Sequence, residues 1–547
     1  MGRVTQAMRT NWKPILMVAL SSLLATISNA GFGFWLFAWV AWVPLFLVLK
    51  TVSNWKRSFW YGYMFGFIQY AATFFWVALL APFAETGNML TNWLITCSGF
   101  VAMCLYLALY PAVLCAFIFP IWHKQTVRES NFLFVTSLIF KPAIIWTGLE
   151  WMSEWMLSGF PWTSIGYTQW PNLPLIQIAS IFGVHGVSFI LLLFNSLMAV
   201  LIISKWKQHI AAVVLPSIII VSSFVFGVVE LKRSIETTDQ VRVAIVPGNI
   251  RQNEKWKPKN FSSIFDHYLE LIEKASIKND IKDLDLDFVA LPETAFPRPI
   301  FTRLPNTYSH QLQKFQRKRE VNLLVGAPHY TYEKKTKDGK IIRKAYNNVF
   351  FLSWDGRQLG SYAKTHLVPF GEYVPLMGLL PDLIQLPTGF TPGSEYSTFP
   401  VPNHSDLRMG VAICFESSFP NLVRQFTLKG ANLIGILTND AWFENTPAPK
   451  QHFSMAPFRA IENRVPVFRC ANGGYSCIID RFGRLITPTI QPENTEGLLV
   501  YEIPVAADVE LTLSTRWGNW FPIFCFLSGL FQLALQSRFW VKRVGKA

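Results

Sequence analysis

Charge is scarce along this chain: 15% of its 547 residues are charged, against roughly 25% in an ordinary soluble protein. Cysteine is scarce as well. Of the seven, Cys97, Cys104, Cys115 and Cys525 fall in apolar stretches, and only Cys414, Cys470 and Cys477 lie elsewhere. That scatter excludes a disulfide framework and a metal-binding spacing. Cys470 and Cys477 flank the Gly473-Gly474 turn and are expected to be free thiols. No internal repeat and no low-complexity tract occurs. The first apolar stretch has no small-residue cleavage site and runs directly into a second one, so it is expected to stay as an anchor rather than leave as a signal peptide.

What is abundant is apolar. Hydrophobic residues make up 51% of the chain, aromatics 15%, and Trp alone numbers 21. The length exceeds one hydrophobic core, so at least two domains are expected. Runs of about 16 to 30 apolar residues, enough to cross a hydrocarbon layer of roughly 30 Å, lie near 14–29, 34–49, 59–83, 93–122, 132–152, 175–203, 210–230 and 520–537. About eight crossings are expected, with the first two forming a tight hairpin at Asn29-Ala30-Gly31.

The net charge of +15 raises the question of nucleic acid, and its location answers it. Alternate connections carry Arg3, Arg9 and Lys13; Lys50, Lys56 and Arg57; Lys124 and Arg128; Lys205 and Lys207; then Arg538, Lys542, Arg543 and Lys546. Those fourteen basic residues, with Glu129, hold +13 of the total. The intervening loops at Pro82–Asn92 and Leu157–Pro174 contain no Lys or Arg. Basic loops stay cytoplasmic, so both termini are expected inside and no nucleic-acid partner is expected. The chain then divides into a transmembrane domain at 1–230, a soluble domain at 231–519 on the outer face, and a last helix with a basic tail at 520–547.

In the soluble stretch the hydrophobic runs shrink to strand length: Val241–Val246, Phe288–Leu291, Leu323–Gly326, Val349–Ser353, Gly410–Ile413, Leu433–Thr438, Val465–Cys470 and Cys477–Ile479. Such continuous runs suit strands covered on both faces. Helical periodicity at Phe261–Lys274, Ser309–Arg319, Phe419–Lys429 and Phe453–Asn463 is interleaved with them, which makes the domain α/β. The charged segment Tyr332–Lys340 reads as a solvated loop.

Three polar residues stand at the ends of strands: Glu293 after Phe288–Pro292, Lys364 after the strand that follows the Trp354 hairpin, and Cys414 after Met409–Ile413. Cys414 precedes Phe415-Glu416-Ser417-Ser418-Phe419-Pro420 and then a helical pattern. That strand-to-helix elbow predicts a reactive thiol, with thiolate favoured by the helix dipole. Lys141 and Glu150 are ionisable residues inside the fifth apolar run, Glu150 near its end, and His185 is expected to pack between helices. His329, His366 and His452 show no Cys–His or metal spacing and read as structural or peripheral.

With these residues in place, the sequence resembles the nitrilase-like carbon–nitrogen hydrolases, whose signature is Glu, Lys and Cys in that order, and most closely their membrane branch, the apolipoprotein N-acyltransferases. The stretches that carry the resemblance are Leu291–Ala295, Lys364–Pro375, Cys414-Phe415-Glu416 and Thr438–Phe443 in the soluble domain, with Ser158–Trp162 and Arg516–Trp520 in the membrane part. The resemblance implies an αββα sandwich, with Glu293 as general base, Lys364 as oxyanion-stabilising cation and Cys414 as nucleophile. It further implies that Glu372 orients Lys364, that Glu416 supports the site, and that Trp256 and Phe415 contact substrate. No cofactor and no metal are implied. The implied donor is a phospholipid in the bilayer, and the implied acceptor is the amino group of a diacylglyceryl-modified apolipoprotein, reached by ping-pong transfer through a thioester at the bacterial inner membrane. Phe415, Glu444 and Ala471 depart from the family pattern, which commonly has Tyr, Gly and Thr there. Read from residues alone, the chain is a membrane thiol enzyme acting on amide or ester bonds. A membrane-tethered amidase and, more distantly, a transporter or receptor with an external domain remain as alternatives.

Overall fold

The computed structural model describes residues 12–83, 87–122, 132–203, 210–234, 237–277, 286–301, 306–333, 342–373, 389–489 and 497–544. Arg3, Arg9, Lys124, Arg128, Glu129, Lys205, Lys207 and Lys546, most of the charged 332–340 loop, and Val374-Pro375 of the lysine motif lie outside them. The chain forms two compact units, one from residues 1–82, 90–232 and 519–547, the other from 83–89 and 233–518.

The first unit is helical. Four helices among the described residues are long and apolar enough to cross a membrane: Met89–Trp122, Phe132–Met152, Val184–Ile203 and Ile210–Lys232. A fifth is added if Trp55–Thr73 and Phe75–Phe83, bent by 57°, count as one span. The other runs form shorter apolar helices among the described residues, Trp12–Ser28, Trp35–Leu49, Leu173–Phe182 and Trp520–Leu535, so the eight expected crossings correspond to four or five helices of spanning length and four shorter ones. The run at 34–49 breaks into a 3-10 turn, Trp35–Trp39, and a short helix, Val43–Leu49. Backbone groups freed at such a break need partners in an apolar setting. Asn195 supplies them, accepting from Trp42 N at 2.8 Å and donating to the Ala38 carbonyl at 2.9 Å. Gln169 bonds the same turn, accepting from Trp39 Nε1 at 3.0 Å and donating to the Trp35 carbonyl at 3.1 Å. Close helix contact relies on small residues: a Cβ on Gly62 would come within 2.5 Å of the Pro111 carbonyl oxygen.

Lys141 precedes Pro142 inside a helix that runs on from Phe132 to Met152. His185 is bracketed by two carboxylates of the same unit, Glu150 Oε2 at 3.3 Å and Glu154 Oε1 at 2.8 Å. Glu150 also accepts from Ile165 N at 2.7 Å, and Glu154 accepts from Asn519 Nδ2 at 3.2 Å. These buried groups are therefore a mutually paired cluster that ties helix to loop.

The second unit is two β-sheets. The six-stranded sheet has the order β11-β1-β2-β3-β4-β5, with β1 Asp239–Ile245, β2 Phe288–Ala290, β3 Leu323–Glu333, β4 Ile342–Leu352, β5 Gln358–Ala363 and β11 Leu499–Val505. The five-stranded sheet has the order β10-β9-β8-β7-β6, with β6 Thr398–Val401, β7 His404–Ile413, β8 Leu433–Asn439, β9 Val467–Asn472 and β10 Cys477–Ile479. β1, β2 and β3 run parallel, as do β7, β8 and β9, while the outer strands are antiparallel. Parallel strands need covered faces. Phe288 of β2 packs on Phe468 of β9 with ring centroids 5.7 Å apart, and Phe351 of β4 packs on Phe399 of β6 at 6.0 Å, so the inner faces meet. Outside, helix α1 (Phe261–Ile277) and helix α2 (Thr307–Arg319) bury Phe265, Tyr268, Ile272 and Leu312 against Val289, Leu291 and Val325 of the first sheet. Helix α3 (Pro420–Leu428) lays Phe426 against Gly410 of β7. Helices, two sheets and helices make the αββα sandwich.

The expected strands all form, and β6 and β11 are additional. Both are short antiparallel edges with polar or half-exposed positions, which dilutes the hydrophobic run that marks an inner strand. The expected helix at Phe453–Asn463 is two helices, Ala448–Phe453 and α4, Ala456–Asn463. Cys470 and Cys477 are free thiols.

Candidate active site

In parallel sheets the residues that leave the C-terminal ends of strands converge on one crevice. β2 leads to Glu293, β7 to Cys414 and β8 to Asn439 and Asp440, while β5 delivers Lys364 from the antiparallel side.

Glu293 is buried on a constrained turn. Thr294, which follows it, has φ of 46°, and β3 approaches so closely that a Cβ on Gly326 would lie 2.6 Å from Thr294 N and 2.8 Å from Glu293 Cα. Three donors aim at its carboxylate. Asn347 Nδ2 reaches Oε1 at 2.7 Å, Lys364 Nζ reaches Oε1 at 3.4 Å, and Asn439 N reaches Oε2 at 2.9 Å.

Lys364 is 1% exposed and lies between two carboxylates, Glu293 and Glu372, whose Oε2 is 2.9 Å from Nζ. Glu372 is held in turn by Asn347 Nδ2 at 2.8 Å and Val368 N at 2.8 Å. Burial by itself favours the neutral amine, yet Glu372 and Glu293 outweigh it and hold Lys364 well above the usual lysine range. The group is a fixed cation.

Cys414 begins the 3-10 turn Cys414–Ser418 between β7 and α3, with φ of 52°, a conformation costly for a residue with a Cβ. The elbow expected from the sequence is present, but its electrostatics differ from the expectation of a favoured thiolate. Burial, then the Glu293 carboxylate, push the thiol well above its ordinary range against the opposing pull of Lys364. At rest the thiol keeps its proton, so attack by sulfur calls for a base.

Glu416 has no exposed surface and accepts five hydrogen bonds. Oε1 takes Tyr362 OH at 2.7 Å, Thr365 N at 2.7 Å, Thr365 Oγ1 at 3.0 Å and His366 N at 3.1 Å, and Oε2 takes Ile413 N at 2.8 Å. One carboxylate thus latches the lysine loop to the cysteine elbow. Glu416→Ala would leave those donors buried without an acceptor, and a loss of about 3–5 kcal/mol of stability is expected. Thermal unfolding of the detergent-solubilised protein checks this; a variant melting with the wild type would contradict the latch.

Phe415 is buried, with its ring edge-on to Phe419 at 5.0 Å and tilted to His366 at 5.8 Å. Trp256 is 42% exposed at the end of the turn Gln252–Lys255. Glu444, one of the departures from the family pattern, accepts from Gln252 N at 3.4 Å.

Sequence reasoning missed Lys255. It is 1% exposed and donates to the Glu293 carbonyl at 3.1 Å. Burial lowers it to about 7, against the pull of Glu293 and Cys414. Its neighbour Trp256 drew attention instead, and only the buried setting of a lysine in a polar turn separates it from a solvated one. Asn347 was missed as well, and Asn439, though inside the Thr438–Phe443 stretch, was given no role until its N–H was seen to reach Glu293. Among the described residues no group of three or more His, Cys, Asp or Glu side chains is arranged to hold a metal.

A fixed cation, a carboxylate wired to it and a protonated thiol in electrostatic reach of both form a set suited to acyl transfer through sulfur. Known proteins similar to this chain fall in two groups. Residues 21–197 match the profile of the apolipoprotein N-acyltransferase N-terminal domain, and residues 242–509 match that of carbon-nitrogen hydrolases. Apolipoprotein N-acyltransferase of Geobacter metallireducens is 33% identical over 96% of this chain and 95% of its own length. That of Methylococcus capsulatus is 29% identical over 96% of each. Among solved structures, Saccharomyces cerevisiae Nit3, a nitrilase-superfamily member, is similar over 50% of this chain and 93% of its own, at 20% identity and a TM-score of 0.36.

Proposed function

This chain belongs to the apolipoprotein N-acyltransferase family, and on that premise we propose that Cys414 carries a fatty acyl chain from a phospholipid to the α-amino group of an N-terminal diacylglyceryl-cysteine. The observation that supports the assignment of roles is the buried Glu293–Lys364 pair beside the Cys414 elbow. Glu293 takes the thiol proton, and sulfur attacks the ester carbonyl of the phospholipid. Lys364 stabilises the oxyanion. Collapse of that intermediate breaks the ester C–O bond, and Glu293 returns the proton to the departing lysophospholipid alkoxide. The acyl group is then a thioester on Cys414. In the second half the acceptor amine attacks the thioester, its proton passes to Glu293, and the thiol is released as the amide forms. Two half-reactions at one sulfur give ping-pong kinetics. Glu372 orients Lys364, Glu416 holds the elbow to the lysine loop, and Trp256 and Phe415 contribute to substrate binding.

The apolar helices support the bilayer as the source of the donor. The distribution of basic residues supports an orientation with both termini in the cytoplasm and the catalytic unit on the periplasmic side of a bacterial inner membrane.

Intact-mass measurement of the purified protein with phospholipid micelles tests the reading. An acyl adduct on Cys414 that persists in water and is discharged by a diacylglyceryl lipopeptide is the expected result. Rapid loss of the adduct in water would identify a hydrolase instead.

A further inference from the structure

Beneath the Cys414 elbow runs a chain of buried polar groups that the reaction as written does not use. Arg469 of β9 places Nη2 2.5 Å from Asp440 Oδ2. Asp440 Oδ1 lies 2.9 Å from His452 Nδ1 and accepts from Thr438 Oγ1 at 2.8 Å. His452 Nε2 lies 3.1 Å from the Cys414 carbonyl oxygen and 2.8 Å from Ser417 Oγ. Ser417 Oγ itself donates to that carbonyl at 2.9 Å. Arg469, Asp440, His452 and Ser417 are all buried.

Ionisable groups are costly in a core unless mutually paired and hydrogen-bonded, and here the whole series ends on one atom, the carbonyl oxygen of the candidate nucleophile. The ring is held between the Asp440–Arg469 pair at Nδ1 and the Cys414 carbonyl, an acceptor, at Nε2. A non-glycine residue at φ of 52° persists only where its surroundings over-determine it. A carbonyl held by two donors is such a constraint. Because a trans peptide points the next N–H away from the carbonyl, the same clamp also sets the direction of the Phe415 N–H.

We propose that His452, backed by Asp440 and Arg469, is a positioning residue for acyl transfer: by holding the Cys414 carbonyl it keeps the elbow in the backbone conformation that aims the thiol at Glu293 and Lys364. The proposal rests on Cys414 being the nucleophile. His452 itself does not touch the acyl group.

The test uses the full-length protein in detergent with a dipalmitoyl phospholipid, following single-turnover formation of the acyl–Cys414 adduct. His452→Leu is expected to lower the acylation rate constant about 100-fold, the scale on which a small misplacement of reacting groups acts. The phospholipid concentration at half-saturation should stay within about twofold, since ground-state binding is not involved. His452→Gln, whose side-chain amide can still donate to the carbonyl, should recover to within about tenfold of wild type. Ser417→Ala, which removes one of the two donors, should cost about fivefold. Equal losses in the Leu and Gln variants, a wild-type rate in His452→Leu, or a change confined to half-saturation would overturn the proposal. Should His452→Leu fail to fold, Ser417→Ala decides alone, and an unchanged rate there overturns it. Cys414→Ala is the parallel control: an undiminished acyl adduct in that variant defeats the reading of the nucleophile, an outcome distinct from the failure of His452.

Discussion

Cys414→Ala is expected to abolish the acyl adduct and to lower N-acylation of a lipopeptide by at least about 1,000-fold, because without sulfur neither half-reaction has a covalent route. Cys414→Ser is expected to fare little better. A serine hydroxyl is a far weaker acid than a thiol, and a fold that pushes the thiol upward opposes an alkoxide more strongly still. The small change in side-chain volume leaves the elbow intact, so both variants should melt close to the wild type. N-acylation at the wild-type rate in either variant would remove Cys414 from the mechanism.

Glu293→Gln is the second large effect, an expected loss of about 100- to 10,000-fold in acyl-adduct formation, the range that a positioned general base supplies. The substitution removes the base and misfits its pocket. The glutamine oxygen can still accept from Asn347 and Lys364, but its NH2 would face the Asn439 N–H, a donor against a donor. The pH profile separates loss of the base from general damage. The Cys414 thiol lies above its ordinary range, so below that range the thiolate fraction grows about tenfold per pH unit. With Glu293 gone, the residual rate depends on that free thiolate and should climb with a slope near one in log rate between about pH 6 and 9. The wild type, with a base supplied internally, should be flatter. A Glu293→Gln profile parallel to the wild type at reduced amplitude would argue that Glu293 is not the base.

Much of this was legible in the chain because it depends on local pattern. Cys414 stands between an apolar strand and a helix, and Glu293 and Lys364 end apolar strands, so strand periodicity and turn chemistry made them candidates, and the family resemblance joined them into a set. Glu416 and Glu372 came with the family resemblance, while their five and four polar contacts became visible only in three dimensions. Other residues had no local signal. Lys255 reads as one more lysine in a charged turn until its burial is known. His452 has no metal or Cys–His spacing, and the bond to the Cys414 carbonyl joins residues 38 positions apart. His185 was expected between helices, but its two carboxylate partners are 31 and 35 residues away, beyond any helical or strand period.

The membrane unit shows the same division. Hydropathy marks apolar runs because it sums local transfer free energies, but it does not say whether a run is one helix. Whether 34–49 crosses as a straight helix or breaks at Val40 depends on Asn195 and Gln169, which bond the freed backbone groups from far along the chain. By itself, then, the sequence determined the membrane class and the α/β unit and offered three candidate residues at its strand ends, since each follows from composition or short-range periodicity. Tertiary structure alone decided that the resting thiol is protonated and Lys364 charged, which residues pin the elbow, and where apolar runs break, because burial and long-range pairing arise only once distant segments pack together.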